Sequence, residues 1–150
     1  MYIRRVCPDD YKTLEGVAKN ILEPLYGDQS KALREWFSGE GFKHAFVLVG
    51  GDEIEGFLSL KANQGKSYLK ISTLVVLDRY KDAGRGKKLL EKAKEVAKQL
   101  GYHQIIVTVS DSKQESLNFF IRSGFVIIDR KPGKYKPNST EIILEMGEQK

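Results

Sequence analysis

The spacing of apolar positions changes along the chain, and each change predicts a new element. Between residues 11 and 22, Leu14, Val17, Ala18, Ile21 and Leu22 recur three and four residues apart, the signature of one helix face. Asp9 or Asp10 stands where a cap belongs, and Pro24 with Gly27 predicts a break. A second helix over roughly Gln29–Ser38 buries Ala32, Leu33, Trp36 and Phe37. The remaining apolar runs are short and strand-like. "YIRRV" opens the chain, "HAFVLV" and "EIEGFLSLKAN" flank the turn Gly50–Glu53 as a hairpin, and "YLKISTLVVL" follows "NQGKS". "QIIVTVS" reads as a buried strand, and "FVIID" with "TEIILEM" as a final antiparallel pair around "KPGKYKPNS".

Two more helices lie between these strands. Leu89, Leu90, Ala93, Val96, Ala97 and Leu100 share one face of a helix that Gly101 ends. Ser112 and Glu115 have capping-box spacing ahead of a shorter helix that Gly124 closes, and Asp111 is expected to begin that capping. The predicted order is β-α-α-β-β-β-α-β-α-β-β. That is one α/β domain over residues 1–150, a mixed, mostly antiparallel seven-stranded sheet with about four helices on its two faces. "TEIILEM" offers an edge strand through which a homodimer could pair.

Composition narrows the class without choosing a function. With 150 residues, 41% hydrophobic and 30% charged, the chain has the make-up of an ordinary soluble domain. No apolar run suits a bilayer and no signal-peptide pattern stands at the start, so a cytoplasmic location without membrane contact is expected. Cys7 is the only cysteine, which excludes an intrachain disulfide and a cysteine metal cluster. His44 and His103 have no metal or triad spacing, so no metal is expected. The net charge of +5 fits an anionic small ligand or a basic patch. Acidic residues interleave with the basic ones and no aromatic-basic stacking pattern appears, which argues against nucleic acid.

One stretch is anomalous. "LDRYKDAGRGKKLLEKAKEVAKQLG" opens its helix with Lys81, Arg85, Lys87 and Lys88 around Gly84 and Gly86, with only Asp82 against them. A helix start carries unpaired N–H groups and a partial positive charge, and therefore favours acids. Basic residues and bare backbone at that place suit an absent anion such as a phosphate. The spacing excludes a P-loop and a dinucleotide fingerprint.

The loop "KDAGRG" (Lys81–Gly86) after a strand ending "LVV" (Leu74–Val76) resembles the pyrophosphate loop Q/R-x-x-G-x-G/A of the GNAT superfamily of acyl-CoA-dependent N-acyltransferases. "SLNFFIRSGF" (Ser116–Phe125) is similar to that family's A-x-x-F-Y-x-x-x-G-F, and the element order agrees. The resemblance implies an N-acetyltransferase that carries an acetyl group from acetyl-CoA to a primary amine, on a small molecule or a protein, by direct attack. It implies pantetheine pairing with Leu74, Val75 and Val76, and thioester polarisation by the Val76 main-chain N–H. It implies pyrophosphate contacts from Lys81, Asp82, Ala83, Gly84, Arg85, Gly86 and Lys87, with Ser116 and Phe119 on the cofactor's other flank.

The pattern departs at the catalytic positions. Phe120 stands where the family's acidic tyrosine belongs, Lys113 stands at a common asparagine, and "KISTL" lacks a carboxylate. Catalysis then runs on ordered water and positioning alone or on residues elsewhere, Tyr135 in the last hairpin being the candidate for the acid, and Glu23 with Tyr26 are the acceptor-side candidates. Without the tyrosine, a CoA-binding module or sensor with little turnover is the alternative.

Overall fold

The computed structural model describes residues 1–62, 65–81, 84–133 and 137–147. Its strands are β1 (Tyr2–Arg5), β2 (Lys43–Gly50), β3 (Glu53–Lys61), β4 (Tyr68–Val76), β5 (Gln104–Ser110), β6 (Val126–Pro132) and β7 (Thr140–Met146). Helices α1 (Tyr11–Val17), α2 (Glu23–Tyr26) and α3 (Ser30–Ser38) separate β1 from β2, α4 (Arg85–Leu100) joins β4 to β5, and α5 (Gln114–Arg122) joins β5 to β6. The sheet order is β1-β2-β3-β4-β5-β7-β6. Every neighbouring pair is antiparallel except β4 and β5, which need the α4 crossover because their directions agree. This is the mixed α/β architecture that the pattern predicts.

The period-2 alternation of the central strands feeds two cores. Leu48, Leu58, Leu60, Leu69 and Ile71 point to one face, where the apolar stripe of α4 and the aromatic end of α5 cover them. Ala45, Val47, Val49 and Phe57 point to the other, under Leu14, Val17, Leu33 and Trp36 of the N-terminal helices. Gly56 lets α4 approach the sheet. A Cβ there would lie 3.0 Å from Leu89 Cδ1 and 3.1 Å from the Val75 carbonyl.

Several local expectations are corrected. Pro24 does not stop the first helix. Residues Ala18–Leu22 widen into a π-helical turn, in which the Glu23 N–H reaches the Ala18 carbonyl, and helical backbone continues to Tyr26, where Gly27 ends it. A wider turn relieves the clash of the proline ring with the preceding turn. Asp10 does not cap α1 through its side chain, because Arg4 holds that carboxylate. Ser112 makes no cap on α5. Its hydroxyl pairs with Ser110 Oγ at 2.8 Å, and Lys113 is the residue before the helix. Asp111 instead extends the β5–β7 pairing, exchanging hydrogen bonds with the Thr140 backbone. Nor does "TEIILEM" form an edge. It is β7, paired on both sides, and the edge is β6, with Asp129, Arg130, Lys131 and Pro132 along it. Charge and proline blunt that edge against further pairing.

The buried Asp10 ties β1 to the first helix. It accepts from both Arg4 Nη atoms at 2.8 and 2.9 Å and from the Cys7 N–H at 2.8 Å. The hydrogen-bonded guanidinium holds the carboxyl below its usual 3.8. The stabilisation is therefore complete above the ordinary carboxylate range and is lost as pH falls through the depressed native value. Asp10→Asn is expected to lose about 1.5–3 kcal/mol at neutral pH. That deficit should shrink below about pH 4, a trend that urea unfolding of both proteins across the acid range will check.

Candidate active site

The sheet splits at its centre. β4 and β5 are paired from Tyr68↔Gln104 to Ile71↔Val107 and not beyond. The cause lies on the other side of β4. Ser59 faces Thr73 while Leu60 faces Ile71, so Ser72 is an extra residue that bends the strand. Past the bulge, β4 keeps its pairing with β3 and leaves β5 behind.

The split exposes main-chain groups at particular residues. Leu77 donates its N–H to the Glu55 carbonyl at 3.0 Å, so Leu77 and Val75 aim their polar groups at β3. Alternation along an antiparallel strand then aims those of Leu74 and Val76 the opposite way, into the gap left by β5. Side chains divide by the same rule. Leu74 and Val76 pack on the α4–α5 core, and Val75 on the core of the N-terminal helices.

A cavity of about 410 Å³ follows this split. Ser72 to Val76 form one wall, Val107 to Val109 another, Lys113, Glu115, Ser116 and Phe120 the α5 side, and Asn20, Ile21, Pro24, Leu25 and Tyr26 the far end. It adjoins a second cavity of about 330 Å³, lined by Leu74, Val76, Lys81, Gly84–Lys87, Glu115, Ser116, Phe119, Phe120 and Arg122. The groove thus runs from the α1–α2 side, through the split, to the start of α4.

That helix start has the features the sequence pattern required. Gly84 precedes it with φ 76°, a left-handed conformation that glycine adopts without penalty. No acid occupies the first turn. Gly86 is bare for another reason, since a Cβ would lie 3.2 Å from the Phe119 ring. The α5 aromatic and the loop glycine meet along this end of the groove.

Arg85 is engaged inward. Its Nε donates to Glu55 Oε1 at 2.6 Å, its Nη1 donates to the Tyr80 carbonyl at 3.1 Å, and its guanidinium stacks over the Tyr80 ring at 5.1 Å. Both members of the ion pair are largely buried. Glu55 is itself a bulge residue, skipped where Leu48 faces Gly56 and Val49 faces Ile54. Its carboxylate occupies the space above Gly50, where a Cβ would lie 2.3 Å from Oε2. Tyr80, whose hydroxyl bonds to Glu53, completes the clamp. The arginine therefore pins the loop to β3, while Lys81, paired with Asp78 at 3.2 Å and half-exposed, stays at the groove.

Most of the sequence-derived site residues converge. Leu74, Val75, Val76, Lys81, Gly84, Arg85, Gly86, Lys87, Ser116 and Phe119 line the groove or its continuation, as does Tyr26 on the opposite side. Glu23 is exposed and lies outside the lining, where Pro24 and Tyr26 stand instead. Asp82, Ala83 and Tyr135 lie outside the described residues. Phe120 is buried, edge-on to Phe119 and Phe125 at 5.1 and 5.2 Å, with one side on the groove. The pattern reading missed Ser72, Thr73 and Thr108. The signal was present: apolar positions 69, 71, 74 and 76 alternate with one step of three, and that phase slip is the bulge. Among the described residues, no group of three or more His, Cys, Asp or Glu side chains is placed to hold a metal ion. No described helix is long and apolar enough to cross a membrane.

A split mixed sheet leading to an acid-free helix start defines an α/β protein suited to an extended ligand with a phosphate at one end. The acetyltransferase (GNAT) family model matches residues 11–125, and the chain belongs to that family. The fold recurs in Arabidopsis thaliana NAA60 in complex with a bisubstrate analogue (17% identity, TM-score 0.84, 99% of this chain and 98% of that chain). It recurs in an aminoglycoside 6'-N-acetyltransferase complexed with coenzyme A (18%, 0.82, 98% and 97%). A GNAT family acetyltransferase from Elizabethkingia anophelis with acetyl-CoA bound is also similar (18%, 0.72, 97% and 97%). No curated protein matches the sequence.

The clamp and the glycine make separable predictions. Arg85→Ala strands Glu55 and is expected to cost about 3–5 kcal/mol, with little recovery in Arg85→Lys, which lacks the planar fork. Gly86→Ala presses on Phe119 and is expected to cost about 1–3 kcal/mol. Chemical denaturation of the three variants beside the parent measures both.

Proposed function

We propose that the chain, as one cytoplasmic domain, transfers the acetyl group of acetyl-CoA to a primary amine by direct attack. The observation that carries the proposal is the groove itself. Outward-turned polar groups at Leu74 and Val76 and an acid-free helix start lie along one continuous channel. Acetyl-CoA supplies the activated acetyl group as a thioester.

The chain's residues supply the rest. Leu74 and Val76 offer a strand edge to the pantetheine amides, and the Val76 N–H stands ready to polarise the thioester carbonyl. The N–H groups of the 81–86 loop take the pyrophosphate, with Lys81 and Lys87 adding charge and Ser116 and Phe119 bounding the far flank. The acceptor approaches from the Tyr26 side, across the sheet from α4. The attacking amine must be neutral, and the departing sulfur needs a proton. Tyr135 is the proposed source of that proton. At Phe120 the aromatic ring packs but donates nothing.

That same residue favours a second reading, an acyl-CoA-binding module with little turnover. A melting scan with acetyl-CoA, followed by detection of free CoA thiol with a panel of amines, separates the two. Binding to the native state alone should raise apparent stability by about 2.7 kcal/mol at a hundredfold excess over Kd. No shift at millimolar acetyl-CoA would overturn both readings. A shift without thiol release from any amine would leave the binding module.

Phe120→Tyr tests the missing acid. A hydroxyl there would donate to the leaving thiolate, a bond worth about 1.5–3 kcal/mol and hence about tenfold or more in turnover where that step limits. CoA affinity should not change. If turnover is instead unmoved and Tyr135→Phe is strongly impaired, the acid is Tyr135.

A further inference from the structure

Beside the split, on the face of the N-terminal helices, lies a cavity of about 350 Å³. It shares Tyr26, Ser72, Thr73 and Thr108 with the central groove, so the two are continuous. Its floor holds three lysines. Lys43 of β2 faces Lys61 of β3, and Lys61 faces Lys70 of β4, so the three form one row across three adjacent strands. All three line the cavity.

Like charges directly opposite on neighbouring strands repel and destabilise a sheet. Among the described residues, neither Lys43 nor Lys61 is in an ion pair. Lys43 donates to the neutral Ser72 hydroxyl at 3.1 Å, on the bulge residue that opens the split. Burial lowers its pKa, Glu35 counters that from α3, and Lys61, Lys70 and Lys31 lower it further. Asp28 is the acid on the cavity wall, and its carboxylate already accepts from Ser30. A row of three cations on one wall of a cavity continuous with the groove, linked to the split by a hydrogen bond, suits an anion delivered with the substrate.

We infer that Lys43, Lys61 and Lys70 bind the acidic group of the acceptor, and that the acceptor is a small amine carrying a carboxylate or a phosphate. The inference rests on the transferase reading and narrows its substrate class. The acidic group would sit on the lysine row with the amine at Ser72–Thr73, where the groove meets the split. A polycation such as an aminoglycoside, the class named for a structural neighbour above, would meet repulsion in the same cavity.

The test compares matched acceptors: an amino acid against its amide, and phosphoethanolamine against ethanolamine. Thiol release gives kcat/KM for each, and calorimetry on the CoA-loaded protein gives their affinities. The acidic member of at least one pair should be favoured at least tenfold, and the pair that shows it tells carboxylate from phosphate. Lys61→Gln and Lys70→Gln should erase most of that preference through KM, leave the acetyl-CoA melting shift intact, and raise the melting temperature of the unliganded protein in at least one case. Lys43→Gln is a third variant, read only if it keeps the acetyl-CoA shift. Equal use of acidic and neutral members, or preference for a polyamine, overturns the inference while leaving acetyl transfer standing. Without turnover, lysine-dependent binding of an acidic amine to the CoA-loaded protein supports the site, and its absence overturns it. Loss of the acetyl-CoA shift in the parent protein removes the transferase reading and this inference with it.

Discussion

The function-bearing geometry depends on one residue more on β4 than on β3. Ser72 has no opposite number, and from that point β4 can remain with β3 or with β5 but not with both. It stays with β3, and the parallel pairing ends at Ile71. Without the bulge, Leu74 and Val76 would spend their main-chain groups on β5 and the centre of the sheet would be closed. With it, a hydrogen-bonding edge appears in the middle of the molecule, flanked by two packed cores that keep it open.

The helices are set against that opening by particular contacts. α4 sits close to β3 because Gly56 has no side chain to hold it off, and its first residue is fastened to Glu55. The same bulge that frees the Glu55 carboxylate also leaves the Glu55 carbonyl to hold Leu77. Strand end and helix start are thus secured to one residue of β3. α5 closes the other flank by laying Phe119 on Gly86. These arrangements hold beside the split a helix N-terminus whose first turn carries no acid, with the Arg85 side chain paired toward β3.

Charge is distributed with equal consequence. Lysines stand at both ends of the groove, Lys81 and Lys87 at the α4 start and the Lys43–Lys61–Lys70 row beyond the split. At the first end they stand beside the unpaired main-chain groups of the helix start. At the second they stand in register on three adjacent strands, so like charges gather on one wall of the cavity.

The sequence by itself determined the elements, their order and the glycine-flanked, acid-free first turn of α4. Period-2 and period-3.6 spacing, glycines at 84 and 86 and the absence of acids in the α4 first turn are local properties, visible in a linear string. The family likeness rested on the same local signals. The tertiary structure alone decided what lies across space. Arg85 reads as an anion ligand in the sequence, but its partner Glu55 is thirty residues away and is aimed by a bulge. Pro24 reads as a helix stop, yet a π turn carries the helix through it. "TEIILEM" reads as an edge, yet strand order places it inside. Lys43, Lys61 and Lys70 follow one another at eighteen and nine residues along the chain, and strand register sets them side by side. Register, bulges and strand order are set by the balance of long-range pairing and burial, and no local spacing rule contains that balance.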